Sequence, residues 1–267
     1  MLARYRLLIL LLSFIPCALQ AQLGKGLSRI ELTVDGVTRE AILYAPASAK
    51  SEPAPLIFGW HGHGGRMGKV ALSYHFHTLW PEAIVVYPQG LNTPGRLTDP
   101  EGKKPGWQGK VGDQGDRDLK FFDALWAKLH ADFKVNDQRV YSSGHSNGGG
   151  FTYLLWAARG QHFTAMAPSA AAARATRDDL TPKPVLHLAG ENDPLVKYEW
   201  QKLTIEALKT LNGTTAGKAW ELDSNCTLFP SATGNPVITA IHPGGHEFHK
   251  GAPDLIIKFF KSQVNGK

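Results

Sequence analysis

Short apolar runs alternate with amphipathic runs along most of this chain, and that alternation constrains the fold more than any other feature. Leu56–Trp60 and Ala83–Tyr87 are apolar runs of strand length, and Val70–Leu79 between them carries a helical pattern. Two strands joined by a helix lie parallel, with a right-handed crossover. Leu119, Phe122, Leu125, Trp126, Leu129 and Phe133 then recur at helical spacing, which predicts an amphipathic helix with one face for a sheet. Strand Arg139–Ser142, helix Asn147–Arg159, strands Phe163–Met166 and Val185–Leu188, helix Tyr198–Leu211, strand Val237–Ile241 and helix Asp254–Val264 follow. Ahead of these, Asp35-Gly36 between Arg29–Val34 and Val37–Tyr44 reads as a hairpin turn. The implied fold is α/β: a mostly parallel central sheet with helices on both faces, in one domain over residues 22–267. Apolar residues make up 43% of the chain and charged residues 19%, enough to build such a core.

The first 21 residues read as a separate object. Arg4 and Arg6 precede the apolar run Leu7–Ile15, Pro16 breaks it, and Leu19-Gln20-Ala21 offers a small residue at a cleavage point. The run is too short to span a bilayer and matches a signal peptide. A lipoprotein signal at Cys17 would want small residues where Phe14-Ile15-Pro16 stands. The expected destination is secreted or periplasmic, with no stable membrane anchor after cleavage. Cys17 leaves with the leader, so Cys226 has no disulfide partner and is expected to be a buried small hydrophobe. The formal charge of +6 is mild and spread out. Basic clusters such as Lys103-Lys104 are short and lack interleaved aromatics, so no nucleic-acid partner is expected.

Gly144-His145-Ser146-Asn147-Gly148-Gly149-Gly150 sits directly between a predicted strand and a predicted helix. A serine on such a sharp turn is exposed at the carboxyl edge of the sheet, and the helix after it aims amide dipoles at developing negative charge. Glycines inside the first helical turns cost roughly 0.8–1.0 kcal/mol each relative to Ala, so close backbone approach is expected there. Ser146 is therefore the candidate nucleophile.

A serine hydroxyl needs a neighbouring base. Hydrolases with this turn carry their partners downstream, an acid and then a late histidine. Asp193, in the loop after Val185–Leu188, is the candidate acid; Glu191 is its rival, and a turn or N-cap role is the plainer reading of Asp193. His246, after the last strand and Gly244-Gly245, is the candidate base, with His242 and His249 as rivals.

Trp60-His61-Gly62-His63-Gly64-Gly65 follows an early strand and matches an oxyanion-hole loop. The expected donors are the backbone N–H groups of His63 and of Asn147. His61 and His63 could share a metal, but no third ligand is adjacent; neither metal nor cofactor is expected. The stretch from Pro88 to Gly115 is rich in Gly, Pro, Asn and Asp, and a loop that long is usually functional. It is expected to wall the pocket, with Trp107, Trp60 and His145 as substrate-binding candidates and core packing as the plainer role of both tryptophans.

Together with Tyr87-Pro88-Gln89-Gly90, Gly106-Trp107, Asp118, Asp193-Pro194 and Gly244-Gly245-His246, the serine motif resembles that of secreted polyhydroxybutyrate depolymerases and their feruloyl and acetyl-xylan esterase relatives. The resemblance covers roughly Leu56 to Phe260. It implies an α/β-hydrolase fold, ester hydrolysis without a cofactor, and a triad of Ser146, Asp193 and His246. Glu247-Phe248-His249 stands where the family often has Trp-Pro. Depolymerases of solid polyester commonly append a binding domain, and this chain ends soon after its last predicted helix. A small or oligomeric ester is the expected partner, with cell-wall polysaccharide or polyester as its source. A serine peptidase of the same fold and a catalytically silent binding protein remain the alternatives.

Overall fold

The computed structural model describes residues 24–263. The leader over residues 1–21, Cys17 within it, and Val264 at the end of the last predicted helix lie outside the described residues. Twelve strands are present among them. These are β1 (Leu27–Val34), β2 (Val37–Tyr44), β3 (Ala54–Trp60), β4 (Ile84–Pro88), β5 (Leu91–Asn92), β6 (Pro105–Gly106), β7 (Val135–His145), β8 (Ala165–Ser169), β9 (Val185–Gly190), β10 (Lys218–Trp220), β11 (Asp223–Phe229) and β12 (Val237–His242). The helices are α1 (Met67–Tyr74), α2 (Phe76–Leu79), α3 (Arg117–Asp132), α4 (Asn147–Arg159), α5 (Tyr198–Leu211) and α6 (Ala252–Ser262).

Ten of the strands form one sheet in the order β1-β2-β4-β3-β7-β8-β9-β12-β11-β10. From β4 to β12 all neighbours are parallel, and each end of the sheet is closed by antiparallel strands. Side chains alternate between the two faces as the pleat requires. Leu56, Phe58 and Trp60 of β3 join Leu119, Phe122 and Leu125 of α3 and Phe151 and Leu155 of α4 on one side. Ile57 joins Val70 and Tyr74 of α1 and Ile256 and Phe260 of α6 on the other. Both faces are thus covered, as the predicted fold requires. Each such large apolar side chain contributes about 1.5–3 kcal/mol on full burial.

Helices α4 and α5 have the predicted bounds, and the β1–β2 hairpin turns on Asp35 and Gly36, both at positive φ (50° and 78°). The predicted helix over Val70–Leu79 is two helices, because His75 takes a left-handed conformation at φ 34° and ends the first. The β10–β11 pair was not predicted. Its strands are polar and half-exposed, so they lack the apolar run that marks the interior strands. Cys226 in β11 is buried at 2% exposure, in keeping with a small hydrophobe. No described helix is long and apolar enough to cross a membrane.

Candidate active site

In an open parallel sheet, functional groups collect beyond the carboxyl ends of the strands. Here β3 ends at Trp60 and leads into the His61–Gly65 loop, and β7 ends at His145 and leads into Ser146. β9 leads to Asp193, and β12 leads to His246. Parallel register brings these four ends to one edge.

Ser146 is held at φ 57° and ψ −119°, a strained conformation costing about 1–3 kcal/mol. The neighbouring backbone enforces it. A Cβ on Gly144 would lie 2.3 Å from the Gly148 carbonyl oxygen, and one on Gly148 would lie 2.3 Å from the Trp60 carbonyl oxygen. Gly149 is similarly hemmed in by Ala171 and Ser169, but nothing lies within 4 Å of a Cβ on Gly150. Close approach therefore explains two of the three consecutive glycines, and the expectation fails for Gly150, which faces open space.

His246 Nε2 lies 2.7 Å from Ser146 Oγ, and its Nδ1 lies 2.8 Å from Asp193 Oδ2. Asp193 is buried, and its Oδ1 also accepts the backbone N–H groups of Leu195 and Val196 at 2.8 and 2.9 Å. It therefore makes the turn expected of it as well as contacting the histidine. The loops that carry Asp193 and His246 are stitched together. Glu191 N–H donates to the His242 carbonyl at 2.8 Å, Asn192 N–H to the Gly244 carbonyl at 3.1 Å, and Asn192 Nδ2 to the Pro243 carbonyl at 2.7 Å. Gly190 permits this approach, since a Cβ there would lie 2.2 Å from the Gly245 carbonyl oxygen. The rival Glu191 is exposed. His242 and His249 each accept a backbone N–H two residues ahead, from Gly244 and Gly251.

The His61–Gly65 loop lies over the serine: a Cβ on Gly62 would sit 3.5 Å from Ser146 Cβ. The next peptide N–H is that of His63. Asn147 opens α4, where the first amides have no partner within the helix. Its side chain clamps Trp107 from both sides, accepting the Trp107 N–H at 2.7 Å and donating to the Trp107 carbonyl at 3.0 Å. That clamp was not foreseen from the sequence, where Asn147 was considered for its backbone alone. The two loop histidines act through their rings as packing struts. His61 Nδ1 lies 2.7 Å from the Gly62 carbonyl and its Nε2 accepts the Gly90 N–H at 2.9 Å, while His63 Nε2 lies 3.1 Å from Asp99 Oδ2. Burial pushes the His61 pKa down to about 4, which keeps that ring neutral at ordinary pH.

Trp60 and Trp107 do not reach a substrate. They are 0% and 1% exposed and pack with Phe151 as a cluster beneath the site. Each indole N–H has found a buried acceptor: Trp60 donates to Ser142 Oγ and Trp107 to the His61 carbonyl, both at 2.9 Å. A buried indole satisfied in this way has no reason to turn outward. His145 is half-buried beside His246, the two rings 5.0 Å apart, with its Nδ1 3.1 Å from Ser169 Oγ. Burial, followed by the nearby His246, pushes its pKa down to about 4. Phe248, two residues past His246, stacks on Tyr74 at 4.2 Å and meets the His145 ring edge-on.

No family model matches the sequence. Among curated proteins, the chain is 26% identical to the probable feruloyl esterase C of Aspergillus oryzae, over 91% of this chain and 89% of that protein. It is 27% identical to the feruloyl esterase C of Emericella nidulans, over 89% of this chain and 83% of that protein. Among solved structures, the acetyl xylan esterase from Aspergillus awamori superposes with a TM-score of 0.60 at 14% identity, covering 88% of this chain and 99% of that one. The chain shares the α/β-hydrolase fold of these solved structures, and its similarity to the feruloyl and acetyl xylan esterases supports a carboxylic ester hydrolase.

Proposed function

We propose that this chain is an exported serine esterase that cleaves feruloyl- or acetyl-type esters through an acyl-enzyme. The observation that carries the reading is the single imidazole of His246, within hydrogen-bond reach of both Ser146 Oγ (2.7 Å) and Asp193 Oδ2 (2.8 Å). With Nδ1–H donated to Asp193, Nε2 is bare and takes the proton from Ser146 as Oγ attacks the ester carbonyl. The tetrahedral oxyanion is held by the N–H groups of His63 and Asn147, aided by the dipole of α4. His246 then returns the proton to the leaving alcohol, and water attacks the acyl-enzyme by the same route in reverse.

The names of the relatives support the acyl class. They are feruloyl esterases and an acetyl xylan esterase, which points to the ester-linked decorations of plant cell-wall polysaccharide. Hydroxyalkanoate esters are the second candidate, on the sequence motifs alone. The leader read from residues 1–21 supports export.

The test is hydrolysis of p-nitrophenyl acetate and butyrate, methyl ferulate, acetylated xylan and hydroxybutyrate oligomers by the wild type and by Ser146→Ala. The variant is expected to lose about four to six orders of magnitude in kcat. An S146A protein that kept most of its activity would remove Ser146 from the mechanism. Peptide turnover without ester turnover would move the peptidase reading ahead.

A further inference from the structure

The carboxylate that faces His246 is held from behind by a buried hydrogen-bond chain with a readable direction. Gln201 on α5 places Nε2 3.4 Å from Asp193 Oδ2 and 2.7 Å from the Val196 carbonyl. Both partners can only accept, so the amide nitrogen faces them and Oε1 faces the other way. There it meets His187 of β9, whose Nε2 lies 3.3 Å from Oε1. An oxygen acceptor at that distance requires the proton on Nε2, which leaves Nδ1 bare. Tyr153 of α4 lies 2.7 Å from that Nδ1 and must be the donor. Each donor in the sequence Tyr153, His187, Gln201 therefore points toward Asp193.

We propose that Tyr153, His187 and Gln201 are positioning residues, a neutral hydrogen-bond relay that fixes the orientation of the Asp193 carboxylate and tempers the charge His246 feels. The proposal rests on the reading of Ser146, His246 and Asp193 as the reacting set. All three relay residues are fully buried. Burial pushes the His187 pKa down to about 4 and the Tyr153 phenol well above its usual value, so neither end of the relay ionises near neutral pH. Bonds in such a chain polarise one another in a low dielectric. The other titratable groups around the Asp193–His246 pair are His145 from the end of β7, His242 from the end of β12, and Glu191 and Glu247 from the loops.

The test compares kcat, KM and the acidic limb of the kcat/KM pH profile in wild type, Gln201→Leu and Tyr153→Phe. With one donor fewer, the Asp193 charge is less offset and His246 holds its proton more tightly. Q201L is expected to lower kcat about tenfold with little change in KM, and to move the acidic limb upward by several tenths of a pH unit, roughly. Y153F should move it the same way by less. Leu208→Ala, a cavity in the same helix away from the relay, should lower the melting temperature and leave the limb in place. Should Q201L fail to fold, Y153F and the ring nitrogen shifts of His187 in the wild type decide: the relay requires a proton on Nε2 and none on Nδ1 at pH 7. A proton on Nδ1, or an unmoved limb in every folded relay variant, overturns the proposal. Fluorophosphonate labelling that is lost in S146A tests the underlying reading separately. Labelling with an unmoved limb sinks the relay alone, and a wild type that does not label sinks both.

Discussion

Asp118 is the residue whose truncation should loosen the site loop most. It lies in the first turn of α3, is fully buried, and pairs through Oδ1 with Arg39 Nη2 at 2.7 Å. Its Oδ2 accepts the Gln108 N–H at 2.9 Å, and Gln108 is adjacent to the Trp107 that Asn147 clamps. Arg39 is itself 1% exposed, lies over the Phe121 ring at 4.2 Å and also donates to the Arg117 carbonyl. Asp118→Ala leaves that guanidinium buried without its counter-ion, which costs about 3–5 kcal/mol. It also orphans the Gln108 N–H, a further 1–3 kcal/mol by the usual range, though the two losses overlap. A net loss of about 4 kcal/mol is a large share of the 5–15 kcal/mol that typically holds a domain together. For a domain of this size it lowers the melting temperature by about 8–16 °C. The assay is thermal unfolding beside the rate of p-nitrophenyl acetate hydrolysis against temperature. Activity should fail below the global melt, because the loop carrying Trp107 loses its anchor first. Adding Arg39→Met removes the stranded charge and should recover at least half of the lost stability. A D118A protein within about 1 kcal/mol of wild type, or a double variant no better than the single, would refute the view that this ion pair anchors the loop.

Two further outcomes follow from the backbone and the buried histidines. Gly148→Ala should abolish activity, since its Cβ would lie 2.3 Å from the Trp60 carbonyl oxygen, whereas Gly150→Ala, with open space there, should raise stability by up to about 1 kcal/mol; urea titration beside ester turnover separates them. His61 and His187 are both fully buried with folded pKa values of about 4 against an ordinary 6.5, so the unfolded chain binds more protons between those values. Their contribution is complete above pH 6.5 and is lost as pH falls toward 4, at up to about 2.7 kcal/mol per pH unit where both titrate. Calorimetric unfolding at pH 5.5 in buffers of different ionisation enthalpy should show uptake of nearly two protons from this pair, and an uptake near zero would contradict it.

The interior strands and the amphipathic helices were legible because burial on both faces writes continuous apolar runs, and burial on one face writes a helical period. Tyr198–Leu211 has its predicted bounds for that reason, whereas Asn147–Arg159 is buried without a break from Phe151 to Trp156 and carries no one-faced period. The β10–β11 edge pair was not legible, because a half-exposed strand need not be apolar. Ser146, Asp193 and His246 were found by their positions just past strand ends, and those positions converge in space because parallel strands point the same way. Their spatial meeting was inferred from chain order; the distances were not. Trp60 and Trp107 were misplaced because sequence does not distinguish an aromatic beneath a site from one that lines it. Asn147, Gln108 and Gln201 carry decisive side-chain bonds, yet a lone amide in a helix or loop has no periodic signature.

The groups that brace the site share one property that bears on how it can work. His61 ties the His61–Gly65 loop to Gly90, and His187 sits behind Asp193 through Gln201. Both rings are buried and neutral at ordinary pH, as burial makes the charged form costly. A charged group in place of His187 would act through a low dielectric on Asp193, one amide away. A neutral imidazole offers one donor and one acceptor in a rigid plane, so it can bridge two strands or loops without that charge. Lysine or arginine at either position can only donate, so it would lose the bond accepted from Gly90 or from Tyr153 and add a buried charge. Histidine at these positions thus combines directional bonding with no net charge at ordinary pH.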